Sequence, residues 1–371
     1  MEQGCRIRLG ILLGGKSGEH EVSLSSAASV IEALDPSEFE ITAIGITRDG
    51  RLAAPQELLS MVPAHLHERI RLRGALEGAA SRMRLVSDTA VEPGSADHPG
   101  PDIVFPLLHG PFGEDGTIQG LLEIAGLPYI GCGVLSSAVG MDKAVMKRLF
   151  QQAGLPVVPF RVVACRDLEG QMGNLKKTVA EEFGYPVFSK PANLGSSVGV
   201  CKIHSEEEFS DAVRYAASFD RKILIEKGID AREIECAILG NDAAHASVVG
   251  EIIPAREFYD YHAKYTDPAS RLEIPARIAA GLSATIRSFA VRAFQTIEGS
   301  GLARVDFFLE RANNKVYVNE INTMPGFTPI SMYSKLWAAS GVSFVDLVRR
   351  LIELGMERHA ERARQRIFGN D

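Results

Sequence analysis

Apolar residues in this chain fall into short blocks separated by longer amphipathic stretches. Residues 6–13 (RIRLGILL) read as a strand, Gly14-Gly15 as a turn, and Val22 to Leu34 as a helix. EITAIGIT (40–47) and IVFPLL (103–108) are further strands, the second preceded by a Pro/Gly/Asp loop at 93–102. Helix patterns follow at 116–126 and 142–153. Strands alternating with helices predict an α/β N-terminal domain with a largely parallel sheet. From about residue 155 the pattern changes. Strand-like pieces at 186–190, 198–203, 223–227, 233–239 and 247–253 surround one helix candidate, 206–217. A long helix at 276–298 then precedes strands at 302–310 and 315–322. This part reads as α+β with mixed or antiparallel sheets. The stretch 344–366 is helical, and Glu353, Glu357 and Glu361 interleave with its arginines, as on a solvated helix face.

Composition narrows the function classes. A length of 371 residues predicts two or three domains, and 46% hydrophobic with 23% charged residues is ordinary for a soluble globular protein. Forty Lys and Arg against 47 Asp and Glu give a net charge of −7, which argues against nucleic acid as a partner. The five cysteines form neither a CxxC pair nor a Cys/His cluster, so neither a disulfide framework nor a zinc site is expected. The first apolar run, Leu9 to Leu13, is too short for a signal-peptide core, and no run approaches the roughly 18–20 apolar residues of a membrane span. A cytoplasmic protein without membrane partners is expected.

GILLGGKS (10–17) matches the phosphate-loop pattern letter for letter, but the chemistry fails. Ile11, Leu12 and Leu13 would occupy the phosphate cradle, and three large apolar side chains make no nest for an anion. A buried strand ending in a Gly-Gly turn fits better. A further reading has the turn and Glu19 lining a ligand site at the strand's carboxyl end.

The strongest chemical signal lies near the C-terminus. In LARVDFFLE, alternation puts Ala303, Val305, Phe307 and Leu309 on one face and Arg304, Asp306 and Phe308 on the other. In KVYVNEIN, Val316, Val318, Glu320 and Asn322 share a face. A short turn at Ala312-Asn313-Asn314 predicts an antiparallel hairpin. If Arg311 faces Lys315, then Asp306 lies opposite Glu320 and Arg304 opposite Asn322. Facing carboxylates repel unless neutralised, and oxygen-only ligands suit a hard cation such as Mg²⁺. An exposed hairpin with coincidental acids is the alternative. KPANLGSSVGV (190–200) and HGPFGEDG (109–116) are glycine-punctuated turns that could wrap phosphate or could be plain loops. YDYHAKYTDPAS (259–270) reads equally as a lid over a reactive intermediate or as a tolerated surface loop.

Taken in order, GGKSGEHEVSLSS, LLHGPFGEDGTIQG, GMDKAVMK, KPANLGSSVGV, IEKGIDAREIEC, AKY, ARVDFFL and NEINTMPGFTPISMY resemble the ATP-grasp enzymes, specifically the D-alanine–D-alanine ligase family. The resemblance spans nearly the whole chain. It implies an ATP-grasp fold, α/β and α+β, in three domains: 1–130 (N-terminal α/β, substrate), 131–230 (central) and 231–371 (C-terminal, with the metal hairpin). It implies ATP as cosubstrate, two Mg²⁺ with Mn²⁺ as an alternative, D-alanine as substrate, a homodimer, and a place in peptidoglycan precursor synthesis. Carried over, Glu19 holds the first D-alanine's ammonium and His109 lies near that substrate. Lys143 and Lys190 contact ATP phosphates, with Ser196 and Ser197 closing over them, and Ser197 also counts among the catalytic residues. Glu226, Lys227 and Ile229 match the adenine-binding linker, Glu233 the ribose contact, and Tyr259 approaches the nucleotide. Lys264 and Tyr265 sit on the closing lid. Asp306, Glu320 and Asn322 match the metal ligands. Arg304 and the N–H of Gly326 stabilise the oxyanion, and Ser331 with the N–H of Met332 binds the second D-alanine's carboxylate. One position departs: Leu194 stands where many members carry an acid that helps hold the Glu19 side and the lid.

Three alternatives remain at this level. A ligase with D-lactate or D-serine as second substrate is the nearest, and Lys264-Tyr265 favours the dipeptide. A phosphate-loop nucleotide switch would use Lys16, and a non-catalytic binding module would need no metal hairpin beside a phosphate loop.

Overall fold

A computed structural model describes residues 6–71, 100–254 and 271–364. The predicted lid and most of the 93–102 loop lie outside these residues, as do Tyr259, Lys264 and Tyr265.

Three sheets carry the fold. The first contains β1 (Ile7–Gly14), β2 (Phe39–Ile46), β3 (Ile70–Arg71) and β4 (Ile103–Pro106), in the order β3-β2-β1-β4, all parallel. β1 is inner and covered on both faces, which is why its sequence is a continuous apolar run rather than an alternating one. Leu9, Ile11 and Leu13 pack toward helix His20–Ala33, and Leu12 toward helix Thr117–Ile124. The phosphate-loop lookalike is therefore the core of a strand.

The second sheet contains β5 (Phe160–Ala164), β6 (Val187–Pro191), β7 (Cys201–Ile203) and β8 (Lys222–Lys227), ordered β5-β8-β6-β7 and antiparallel throughout. Helices Leu168–Glu182 and Phe209–Ala217 cover the face bearing Val163, Val187, Ile223 and Ile225. The third contains β9 (Ala231–Gly240), β10 (His245–Ile253), β11 (Arg271–Glu273), β12 (Gly301–Glu310) and β13 (Val316–Asn322), ordered β11-β10-β9-β12-β13, also antiparallel. Helix Ala280–Thr296 covers one face through Ile286, Ala290 and Phe294, and helices Val134–Met141 and Lys143–Gln152 pack against β13.

The other face of the third sheet is divided. Ala237, Leu239 and Leu302 join a core that also holds helices Met332–Ala339 and Phe344–Ala363 and the first sheet's Leu9, Ile103 and Phe105. Its remaining half is polar. Phe327 pins the two units together, fully buried with its ring 5.3 Å from Phe105 and 5.9 Å from Tyr333. The elements left unpredicted include β3, β5, β11 and helices Val134–Met141, Leu168–Glu182, Met332–Ala339 and Pro55–Met61. The second of these helices buries only Leu168, Met172 and Val179 and contains Gly170 and Gly173, so its apolar stripe is faint.

Candidate active site

The polar half of the third sheet is built by alternation. On β9, Glu233 and Glu235 point away from helix Ala280–Thr296, into whose core Ile234 and Cys236 pack. Their cross-strand partners on β12 are Phe308 and Asp306, and Arg304 follows on the same face. At the β12–β13 pair the structure corrects the hairpin geometry. Phe307 faces Val318 and Leu309 faces Val316, one residue away from the register expected from the turn. A bulge between Asp306 and Phe307 then shifts the pairing, so that Asp306 faces Glu320 and Arg304 faces Asn322. Because a one-residue slip reverses every side chain, Val316 and Val318 do not share a face with Glu320 and Asn322. The two valines and Ile321 are in the core, while the acid and the amide join Asp306.

Charge on this face is already partly balanced. Arg304 holds Asp306 through two contacts of 2.7 and 2.8 Å and lies 3.0 Å from Glu235 Oε2. Burial works against its charge, but Asp306 and Glu235 outweigh that and raise its pKa further. Asn322 Nδ2 donates to Asp306 Oδ2 at 3.0 Å, and Lys143 Nζ lies 3.5 Å from Glu320. Glu235 was not singled out in the sequence, although its alternation with Glu233 marks it.

The second sheet turns its other face, partly covered by helix Lys143–Gln152 through Ala144 and Lys147, to the cleft. Register places Lys190, Leu224 and Val162 side by side, with Phe188, Glu226 and Phe160 in the next row. Lys190 ion-pairs with Glu226, which also lies 2.6 Å from Lys147, a fully buried residue not picked out from sequence. Glu226 is thus enclosed between two lysines, Lys227 is exposed, and Ile229 is half-buried on the connection to β9. Asp142 caps helix Lys143–Gln152 by accepting from the N–H groups of Ala144 and Val145. Lys143, at the first position of that helix, donates to Leu194 O at 2.7 Å. A cavity of about 600 Å³ opens at the far end of the same face, lined by Asp142, Ala164, Arg166, Asn193 and Lys222 rather than by Lys190 or Glu226.

Ser196 and Ser197 both hold left-handed backbone, φ 53° and 58°. Such strain at non-glycine positions gathers at functional loops. Asp220 anchors the loop by accepting from Asn193 N and Nδ2 at 2.8 and 2.9 Å. Ser196 donates to Glu19 Oε1 at 2.5 Å. Ser196, expected on phosphate, thus reaches the Glu19 carboxylate of the first unit. The link forms without the acid that Leu194 replaces.

The first sheet presents Glu19 at the start of helix His20–Ala33. Two buried serines on that helix organise the region. Ser23 accepts from Gly14 N at 2.8 Å and donates to Leu107 O, joining the ends of β1 and β4. Ser26 Oγ lies 3.1 Å from His109 Nε2 and accepts from Phe327 N at 3.1 Å. His109 Nδ1 is 2.8 Å from Met324 O, a carbonyl, so this nitrogen carries the proton and Nε2 accepts from Ser26. Burial pushes the imidazole pKa down against the pull of Glu19, so His109 is neutral and spends both nitrogens on the protein. Glu114 accepts from Gly110 N at 3.1 Å and from Met324 N. Burial, with Glu19 nearby, pushes its carboxyl up to about 8.

Beyond β13 the chain runs through Gly326 to Ser331, whose hydroxyl accepts from Thr328 N at 3.1 Å and closes the turn. Met332 begins the next helix with its side chain in the core.

Two facing sheets with lysines on one and carboxylates on the other, beside an α/β unit that contributes a carboxylate to their phosphate-type loop, define an ATP-grasp ligase. Residues 8–132 match the model for the D-ala D-ala ligase N-terminus, and residues 149–353 the model for the D-ala D-ala ligase C-terminus. The chain belongs to the D-alanine–D-alanine ligase family. It is 45% identical to the D-alanine–D-alanine ligase of Acetivibrio thermocellus, covering 98% of this chain and 99% of that one. It is 49% identical to the ligase of the same name from Heliobacterium modesticaldum, over 96% of each. Among solved structures, the D-alanine-D-alanine ligase from Coxiella burnetii has 36% identity and a TM-score of 0.76, covering 96% of both chains. The VanG D-Ala:D-Ser ligase from Enterococcus faecalis has 32% identity and a TM-score of 0.79, covering 95% of this chain and 100% of that one. Among the described residues, no helix is long and apolar enough to cross a membrane.

Proposed function

We propose that this chain joins two D-alanines into D-alanyl-D-alanine, with cleavage of ATP to ADP and phosphate. The carrying observation is the meeting of three units in one cleft: Glu19 bonded to Ser196, Lys143 and Lys190 beside that loop, and Arg304 with Asp306, Glu320 and Asn322 opposite. A carboxylate oxygen of the first D-alanine attacks the γ-phosphorus and ADP leaves. The second D-alanine's amine then attacks the acyl carbon, and phosphate departs from the tetrahedral intermediate.

In this reading Glu19 binds the first ammonium, and neutral His109 shapes that subsite without exchanging protons. Lys143 and Lys190 bind phosphates under the loop carrying Ser196 and Ser197. Lys227 and Ile229, with Glu226 behind them, flank adenine, and Glu233 meets ribose. Arg304 and the Gly326 N–H stabilise the oxyanion, usually the largest single term in acyl transfer. Ser331 and the Met332 N–H hold the second carboxylate. Tyr259, Lys264 and Tyr265 complete the lid side. Asp306, Glu320 and Asn322 form an oxygen-only donor set that fits Mg²⁺, or Mn²⁺, in two positions. Bound there, the metal ions would neutralise charge on the transferring phosphoryl group.

The domain division at 130 and 230, a homodimeric assembly, and a cytoplasmic role in peptidoglycan precursor synthesis belong to the same proposal. D-Serine as second substrate is the other reading, raised by the likeness to a D-Ala:D-Ser ligase. The higher identity to D-alanine–D-alanine ligases favours D-alanine. ADP release with ATP and Mg²⁺ tests the choice, comparing D-alanine alone, L-alanine, and D-alanine with D-serine or D-lactate, with products weighed by mass spectrometry. Dipeptide from D-alanine alone is the expected result. Turnover only with another acceptor would overturn the substrate assignment.

A further inference from the structure

Lys143 and Lys147 stand one turn apart on the same helix face but meet different fates. Lys143 reaches Leu194 O and Glu320 at the rim of the cleft. Lys147 is fully buried, with Nζ 2.6 Å from Glu226 Oε1, while the other oxygen of that carboxylate meets Lys190. Glu226 is 2% exposed, and Lys190 is the cluster's member closest to solvent. Burying an ammonium is expensive, and an apolar side chain of similar length would often be more stable there. Burial pulls the Lys147 pKa down. Burial would push Glu226 up, but Lys147 and Lys190 outweigh it and hold Glu226 as a carboxylate.

Charge counting shows what the buried ammonium does. Two ammonium groups and one carboxylate leave the cluster one positive charge. Without Lys147, Glu226 and Lys190 would close into a neutral pair, and Lys190 would offer little to an anion. We propose that Lys147 is a positioning residue, whose buried charge occupies half of Glu226 so that Lys190 keeps its charge for the nucleotide phosphates. This rests on the nucleotide reading given above for Lys190.

The test is calorimetric binding of ADP with Mg²⁺ to the full chain, with adenosine as a phosphate-free control. Lys147→Met should weaken ADP by about ten- to a hundredfold, the range for one lost charge-assisted contact, and leave adenosine unchanged. The double variant Lys147→Met with Glu226→Gln frees Lys190 again and should bind ADP more tightly than Lys147→Met alone. A merely structural lysine predicts the opposite, since a second buried substitution adds damage. Wild-type ADP affinity in Lys147→Met, or no recovery in the double variant, would overturn the proposal. If Lys147→Met does not fold, the double variant, which removes the fully buried ammonium together with the carboxylate it faces, decides. Because Glu226 also borders adenine, ADP affinity is read relative to adenosine affinity in the same variant: a near-wild-type ratio supports the role, and a loss of tenfold or more in that ratio overturns it. A wild-type chain that fails to bind ADP would instead overturn the nucleotide reading, and this role with it.

Discussion

Replacing Arg304 by Met removes a guanidinium that balances Asp306 and Glu235. The side chains of Arg304, Asp306 and Glu235 are 19, 15 and 7% exposed, so the pairs are largely desolvated. Removing one partner of such a pair costs about 3–5 kcal/mol, and the residual exposure of Arg304 puts the expected loss near ~3 kcal/mol. For a unit of domain size this is a melting-temperature drop of about 6–12 °C. If Arg304 also stabilises the oxyanion, kcat should fall by about 10²–10³, the usual cost of one such donor. The two effects separate on adding Mg²⁺. A cation between Asp306 and Glu320 should recover part of the melting loss, because it restores the charge balance, but should leave the rate low. Arg304→Lys should retain more stability than Met while still losing rate, since an ammonium cannot reproduce the two-pronged contact. Differential scanning fluorimetry with and without Mg²⁺, beside an ADP-release assay, reads both quantities. A Met variant with wild-type melting would refute the charge balance, and full recovery of rate by Mg²⁺ would refute the oxyanion role.

Other expectations follow from the same geometry. Glu19→Gln should raise KM for D-alanine by about ten- to a hundredfold and leave ADP affinity unchanged, because the amide oxygen of Gln can still accept the Ser196 hydroxyl; equal loss of both would place Glu19 on the nucleotide. Ser26→Ala leaves the Phe327 N–H and His109 Nε2 without their partner, so it should cost about 1–3 kcal/mol per buried group, measured as a lower urea midpoint. Glu114 has a folded pKa raised to about 8 from 4.5, so between those values the native state holds a proton that the unfolded chain has lost. Its contribution to stability is full below pH 4.5 and is lost as pH rises through about 8. Glu114→Gln should flatten that decline, seen as a smaller drop in urea midpoint from pH 6 to pH 8.5 than in wild type; an unchanged slope would show that Glu114 ionises normally.

Much of the scaffold was readable because burial writes itself into periodicity. β1 carries apolar residues on both faces because it is inner, and β12 alternates because helix Ala280–Thr296 covers only one of its faces. Helix Leu168–Glu182 escaped detection because three buried side chains suffice to dock it on a sheet. The roles of Ser23 and Ser26 were equally silent. Their partners are backbone groups up to 301 residues away and the distant His109 ring, and no local pattern encodes those.

The hairpin shows how a site can be legible while its geometry is not. The turn sets Glu310 against Lys315, and followed without interruption that register would turn Glu320 and Asn322 away from Asp306, into the core beside helix Ala280–Thr296. Two charged or polar groups there would lack partners, while Ile321 would lie on the polar face. The bulge resolves the conflict by spending one residue, Asn319, so that the valines near the turn and the acid near the cleft each reach a compatible environment. In VYVNEIN the evidence was the break in alternation itself: Val316 and Val318 followed by Ile321, not by residue 320. Hydrophobic spacing that slips by one within a strand bearing acids marks a bulge, and here the bulge is what brings Asp306, Glu320 and Asn322 to the same side.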